Sequence, residues 1–349
     1  MKTTYRAMQV TRPGVLELVE RPVPAPGPGE VLIEVEACGV CGADAADIEQ
    51  ADPTLASPRV PGHEVVGRIA AMGAATGSDT PPLWRVGQRV GVGRLGGHCN
   101  ACDACRRGQF QLCRQQPFVG ATCDGGYAEM MLARSTGLVA IPAELNAEEA
   151  APILCAGIAT FNALRKCGAD AGDVVAVFGI GGLGHMALQY ARRMGFEVVA
   201  IGRGDDIAAD ALALGAHHYL DTARDDAAAR LTQMGGAQAI VATAGDAASV
   251  GALMRGLAPQ GRMVLLGAGK DPLAVAAGPL VVSEQSVVGS LTGSPWENEK
   301  TLRFSVLSGA RPMIETLPFE RANEAWRKMK SGEARFRMVL TMTHPAADA

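Results

Sequence analysis

Several whole classes of function are excluded by what the chain lacks. No run of about 18 uncharged apolar residues occurs, and a helix that crosses a bilayer needs at least that many. A basic excess is missing too. Lys and Arg number 32 against 36 Asp and Glu, for a net charge of −4, so neither nucleic acid nor an anionic membrane meets a bulk attractive field. The opening MKTTYRAMQV has neither the charged start nor the apolar core of a secretory signal, and a cytoplasmic location is expected. Internal repeats and low-complexity tracts are absent. What remains is ordinary globular composition, 48% apolar and 19% charged, on a chain long enough for two domains. Glycine is plentiful at 43 residues, which suggests many tight turns and close backbone approaches.

Cysteine carries the strongest local signal. In GGHCNACDACRRGQFQLC, Cys99, Cys102, Cys105 and Cys113 are separated by two, two and seven residues. One irregular loop can fold back on that spacing and offer four thiolates to one tetrahedral ion, for which zinc is the expected occupant. A disulfide framework suits the chain poorly, because it is long, has no secretory signal and carries an odd nine cysteines. An iron–sulfur cluster also takes four thiolates, but the gap before Cys113 does not match the usual ferredoxin runs. A closed thiolate shell holds a loop and does no chemistry.

Along the chain, the first half reads as short strands broken by turn residues. VLELVERP and EVLIEVEACGV are alternating apolar runs joined by a Pro/Gly-rich link, a hairpin-like or barrel-like pattern. EVVGRIA, RVGVG and GGYAEMMLA continue it, and segment 71–87 reads as a surface loop. The rhythm changes near residue 145, where AEEAAPILCAGIATFNALRKC is helix-like with Asn146 as N-cap. Strand and helix patterns then alternate from VVAVF through RMVLLGAG, which predicts five or six βα units and a parallel doubly wound sheet. Strand and helix pieces follow to FRMVLTM, and the tail HPAADA is expected to fray.

Gly179, Gly181 and Gly184 form GxGxxG, with Gly182 and Leu183 inside the turn, directly after VVAVF and at the start of a helix. In that setting backbone amides and the helix N-terminus can meet a dinucleotide pyrophosphate. The next strand ends at Ile201, followed by Gly202 and Arg203, where an NAD site usually places an acid for the ribose 2′-hydroxyl. The missing strand-end acid removes a repulsion and the Arg203 guanidinium can pair with a 2′-phosphate, so NADP(H) is expected over NAD(H).

Cys41 in CGVCGAD, His63-Glu64 in PGHEVVG and Cys155 in PILCAG are unremarkable one by one. Taken with the four-cysteine loop and the glycine turn, they make the chain resemble the zinc-dependent medium-chain alcohol dehydrogenases over nearly its whole length. The resemblance implies a GroES-like catalytic β-barrel domain over 1–150, completed by 291–349, and a Rossmann coenzyme domain over 151–290. It implies an alcohol dehydrogenase or carbonyl reductase with two zinc ions per chain. One is structural, on the four-cysteine loop. The other is catalytic, at Cys41, His63 and Cys155, with Glu64 beside it and able to exchange with bound water. Asp44 matches an acid that orients the ligating histidine, and Arg337 a base near the coenzyme phosphates. A homodimer or homotetramer is implied, joined near SVVGSL, with a small alcohol or carbonyl as substrate and with neither nucleic acid nor membrane as partner.

One departure from the family stands out. Many members carry a hydroxyl residue and a distal histidine after the first zinc cysteine, and these relay the alcohol proton. Here the run is Gly42-Ala43-Asp44-Ala45-Ala46, and neither Ala43 nor Ala46 can pass a proton. Either the proton travels through water and the coenzyme ribose, or the reaction needs no relay, as in hydride addition to an imine or an activated alkene. A zinc-bearing coenzyme-binding sensor, the non-enzymatic reading, has no need of an open three-ligand site.

Overall fold

The structure, a computed structural model, describes residues 3–49, 58–74, 83–267 and 269–342. Much of the expected loop 71–87 and the HPAADA tail lie outside the described residues. The chain divides into two compact units, Met1–Cys155 with Gly293–Ala349, and Ala156–Thr292.

The first unit opens with β1 (Thr4–Arg12) and β2 (Val15–Pro22), an antiparallel hairpin closed at Gly14, whose φ is +76°. Next come β3 (Glu30–Val40), β4 (Glu64–Met72), β5 (Arg89–Val92), β6 (Met130–Arg134) and β7 (Leu138–Ala140). Of the hairpin-like or barrel-like pattern expected of the two alternating runs, the hairpin does not form: the runs do not pair with each other. β2 pairs with β1, while β3 lies in the large sheet. Backbone chemistry explains the choice. Pro13-Gly14 makes a tight turn with left-handed φ, whereas the link after β2, with Pro22, Pro24, Pro26 and Pro28, has few N–H groups to close one.

The second unit contains β8 (Val174–Phe178), β9 (Glu197–Gly202), β10 (His218–Asp221), β11 (Ala237–Ala242), β12 (Leu257–Leu265) and β13 (Ser286–Gly289). All pair in parallel, in the order β10-β9-β8-β11-β12-β13. This is the doubly wound topology that the βα alternation predicts, and the order reverses between β8 and β11, where such sheets hold ligands. Runs such as VVAVF are apolar throughout because a parallel sheet is covered on both faces.

β14 (Ile314–Pro318) and β15 (Arg337–Thr341) return to the first unit, whose large sheet runs β14-β15-β3-β4-β5-β7, with β6 also on β3. β3 is thus central and almost wholly buried.

The helix-like stretch after residue 145 is not one helix. Asn146 caps it as expected, accepting from the Glu149 amide at 2.7 Å. The helix Ala147–Pro152 then gives way to a π turn, Ile153–Gly157, before the helix Ile158–Arg165. Pro152 has no N–H and crowds the preceding turn, so the regular ladder fails there. Cys155 sits in that π turn.

Candidate functional site

Strand ends of the first unit bring the dispersed residues together. Cys41 follows the last residue of β3. Glu64 begins β4 with His63 just before it, Arg337 begins β15, and the π turn supplies Cys155. One ligand atom from each of Cys41, His63, Glu64 and Cys155 lies within 4.8 Å of every other.

Asp44 organises this cluster. Its Oδ1 is 2.6 Å from His63 Nδ1, and its Oδ2 accepts from the Cys41 amide at 2.9 Å and from the Tyr127 hydroxyl at 3.0 Å. All of Asp44 is buried. With Nδ1 engaged, His63 Nε2 is left buried and without a partner, the arrangement of a ligating imidazole anchored by a carboxylate. The Cys41 and Cys155 sulfurs are 3.8 Å apart. Two sulfurs bound to one tetrahedral zinc, each at about 2.3 Å, stand about 3.8 Å apart. The donor set and its spacing therefore fit zinc.

The four groups are tightly coupled through their charges. Cys155, bonded to Cys41, pulls the Cys41 thiol well below its ordinary pKa, and the proton stays with Cys155, whose own pKa is raised. Burial opposes charge on His63, but Asp44 and Cys41 outweigh it and raise the pKa. Burial pushes the Glu64 carboxyl up to about 7, against the pull of Arg337. The Arg337 guanidinium is itself buried and bonds Glu64 Oε1. Glu64 Oε2 has no partner and rests over Gly39, where a β-carbon would lie 1.9 Å away.

The four-cysteine loop also closes. Cys99, Cys102, Cys105 and Cys113 bring their sulfurs within 4.8 Å of one another. The separations include 3.9 Å for Cys99–Cys105, 3.6 Å for Cys102–Cys105 and 4.0 Å for Cys102–Cys113. These exceed a disulfide bond and match a shared tetrahedral ion. Backbone amides of Cys99, Cys102 and Gln115 point at the sulfurs at 3.4 Å. His98 stacks on Phe110 instead of joining the cluster, with ring centroids 4.2 Å apart. Cys38, Cys123 and Cys167 lie outside both groups.

In the second unit the three glycines have three different reasons. Gly179 has φ +90°. A β-carbon at Gly184 would lie 2.0 Å from the Gly179 carbonyl oxygen, so helix and turn pack without one. Gly181 is exposed and faces open space, leaving the backbone of the turn accessible. Gly182 and Leu183 complete the turn before the helix Gly184–Arg193, and Thr243, just after β11, bonds the Gly179 carbonyl at 2.7 Å. Arg203 is exposed at the end of β9. A β-carbon at Gly202 would meet the Tyr219 hydroxyl at 2.7 Å, so any side chain at that position requires the Tyr219 ring to shift.

Two residues of the first site carry no sequence signal. Tyr127 lies far along the chain from Asp44, and Gly39 is one glycine among many.

Comparison with known proteins agrees with this geometry. Residues 27–143 match the alcohol dehydrogenase GroES-like domain, and residues 182–306 match the zinc-binding dehydrogenase domain. The alcohol dehydrogenase notN of Aspergillus sp. is 41% identical over 94% of each chain. The aldehyde reductase AdhA of Synechocystis sp. is 34% identical over 98% of this chain and 99% of its own. The structure of CAD from Helicobacter pylori complexed with NADP(H) superposes with a TM-score of 0.85 at 26% identity, covering 98% of this chain and 99% of that one.

Proposed function

The chain belongs to the zinc-type medium-chain dehydrogenase/reductase family and is an oxidoreductase of the alcohol dehydrogenase/reductase class, and from that premise we propose that it reduces carbonyl compounds, and oxidises the corresponding alcohols, with NADP(H). The observation that carries the reading is the buried, partnerless His63 Nε2 beside two thiols 3.8 Å apart, with Asp44 bonded to the other ring nitrogen. Cys41, His63 and Cys155 would hold a zinc ion, which would supply a Lewis acid for the substrate oxygen, and a bound nicotinamide coenzyme would supply or accept the hydride.

The chain's own residues do the rest. Asp44 fixes the ring and tautomer of His63, and Tyr127 with the Cys41 amide keeps Asp44 in place. Glu64 stands beside the ligands as a fourth, exchangeable oxygen donor, and Arg337 balances its charge. The expected service of Arg337 to the coenzyme phosphates is part of the same proposal. Cys99, Cys102, Cys105 and Cys113 hold a second, structural zinc. The glycine turn after β8 cradles the pyrophosphate. Exposed Arg203, with glycine instead of an acid at position 202, takes the 2′-phosphate. The NADP(H)-bound relative from Helicobacter pylori supports that preference.

A second reading rests on one observation. Ala43 and Ala46 are exposed on the helix Gly42–Glu49 and offer no proton path, which suits reduction of an imine or activated alkene. The carbonyl reading is preferred because a full zinc ligand set is present. Self-association through β13, the edge strand of the second unit's sheet, is also proposed. Its exposed neighbours Val281, Val282 and Leu291 would be covered, and light scattering tests it. Among the described residues, no helix is long and apolar enough to cross a membrane.

Initial rates with NADPH and NADH across aldehydes, ketones, enals and imines test the whole, with products identified by mass spectrometry. Alcohol products with NADPH preferred support it. Turnover of imines or alkenes alone selects the second reading. Ala43→Thr is expected to raise or leave unchanged the rate of carbonyl reduction, and a collapse with zinc retained counts against the water-borne proton path.

A further inference from the structure

The helix that lacks relay residues carries a second buried acid. Asp47, 5% exposed, is gripped by the guanidinium of Arg94. Arg94 lies two residues beyond Val92 in β5, and His63 two residues before Val65 in β4, where Val65 and Val92 are register partners. The two side chains therefore belong to the same end of one strand pair. Gly93 packs on the chain next to the ligand set, since a β-carbon there would stand 2.9 Å from the carbonyl oxygen of Leu154, the residue before Cys155.

Arg94 uses only part of its guanidinium. Nη1 donates to Asp47 Oδ2 and, at 3.1 Å, to the Val119 carbonyl, while Nη2 donates to Asp47 Oδ1 at 3.1 Å. Nε–H and the second Nη2 hydrogen form the side edge of the fork, and among the described residues neither has a partner. The side chain keeps 21% of its surface exposed, and Nε is not among the buried partnerless atoms. That edge can be reached. Burial works against the Arg94 charge, but the bond to Asp47 and the negative charges of Asp47 and Asp44 more than offset it.

We propose that Arg94 is a specificity-determining residue whose open edge takes the carboxylate of the substrate, so that the preferred substrates are carbonyl compounds that also carry a carboxylate. A planar carboxylate matches that edge bidentately. A neutral substrate covering it would leave two donors unpaired, which is how a polar site rejects the analogue that lacks the matching group. Asp47 is the positioning residue, since its two oxygens fix the plane in which the open edge lies. The inference rests on the carbonyl-reduction reading above.

The test compares kcat/KM for matched acid and amide pairs, 4-carboxybenzaldehyde with 4-formylbenzamide, and succinic semialdehyde with its amide. The wild-type enzyme is expected to favour the acid of at least one pair by about tenfold or more, as a charge-assisted pair of hydrogen bonds would give. Arg94→Gln should bring that ratio close to one, mainly through KM of the acid, and Arg94→Lys should restore part of it. Asp47→Asn should raise KM for the acid more than it lowers kcat. A wild-type ratio near one in both pairs overturns the proposal. So does a parallel loss on acid and amide in both Arg94 variants, which would make the residue a staple between helix and strand. If Arg94→Gln does not fold, the wild-type ratio and Arg94→Lys decide. Failure of the wild type to reduce any of the four overturns the carbonyl reading itself, whereas reduction of all four without preference overturns only this one.

Discussion

Gly39 and Glu64 are register partners across β3 and β4, and a β-carbon at 39 would stand 1.9 Å from Glu64 Oε2. The carboxylate cannot retreat, because the side chain is wholly buried and Arg337 holds its other oxygen. Gly39→Ala should therefore displace Glu64 or part the strands, at a cost of about 1–3 kcal/mol. A lower Tm and reduced zinc content in the purified protein would register it. Full zinc at an unchanged Tm would mean that the strand pair yields freely.

Asp44→Asn keeps the shape of the side chain but removes the charge that anchors His63 Nδ1 and leaves Nε2 free as a ligand. Zinc affinity or activity should fall by about 10–100-fold, the usual effect of losing such a partner. Competition with a chromophoric chelator measures the first, and kcat at saturating zinc the second.

For the four-cysteine loop, Cys105→Ser removes a buried sulfur that lies within 4.0 Å of two others. Zinc should drop from about two ions per chain to about one, with a lower Tm, because a structural zinc contributes its binding energy to folding. Metal analysis and a thermal scan on one sample suffice. A protein that keeps both ions would show that three thiolates hold the loop.

Arg203→Ala should raise KM for NADPH by about tenfold or more and leave KM for NADH little changed, since only the former coenzyme offers a phosphate to the guanidinium. Equal effects on the two coenzymes would assign Arg203 to the adenine or to solvent.

Much of the molecule could be read along the chain because its cause is local. The loop's cysteines are neighbours, so their spacing alone implies one ion. The glycine turn needs only a strand before it and a helix after it. β8 is apolar from end to end because it is buried on both faces, and that pattern survives in any context. The strand pairing of β2 was less legible. Alternation of apolar residues tells which face is buried but not which strand lies alongside, and turn geometry at Gly14 decides that. Cys155 was assigned through resemblance, and nothing in PILCAG marks the π turn except Pro152.

By itself the amino-acid sequence determined the two kinds of architecture, the structural metal loop and the dinucleotide turn, since each depends on residues within one or two turns of chain. Tertiary structure alone decided that Cys155 meets Cys41 across 114 residues, that Tyr127 anchors Asp44 across 83, and that Asp47 turns Arg94 beside the ligand set. Those contacts depend on which strand ends coincide when the sheet packs, and packing is a property of the whole core, to which no short stretch of sequence has access.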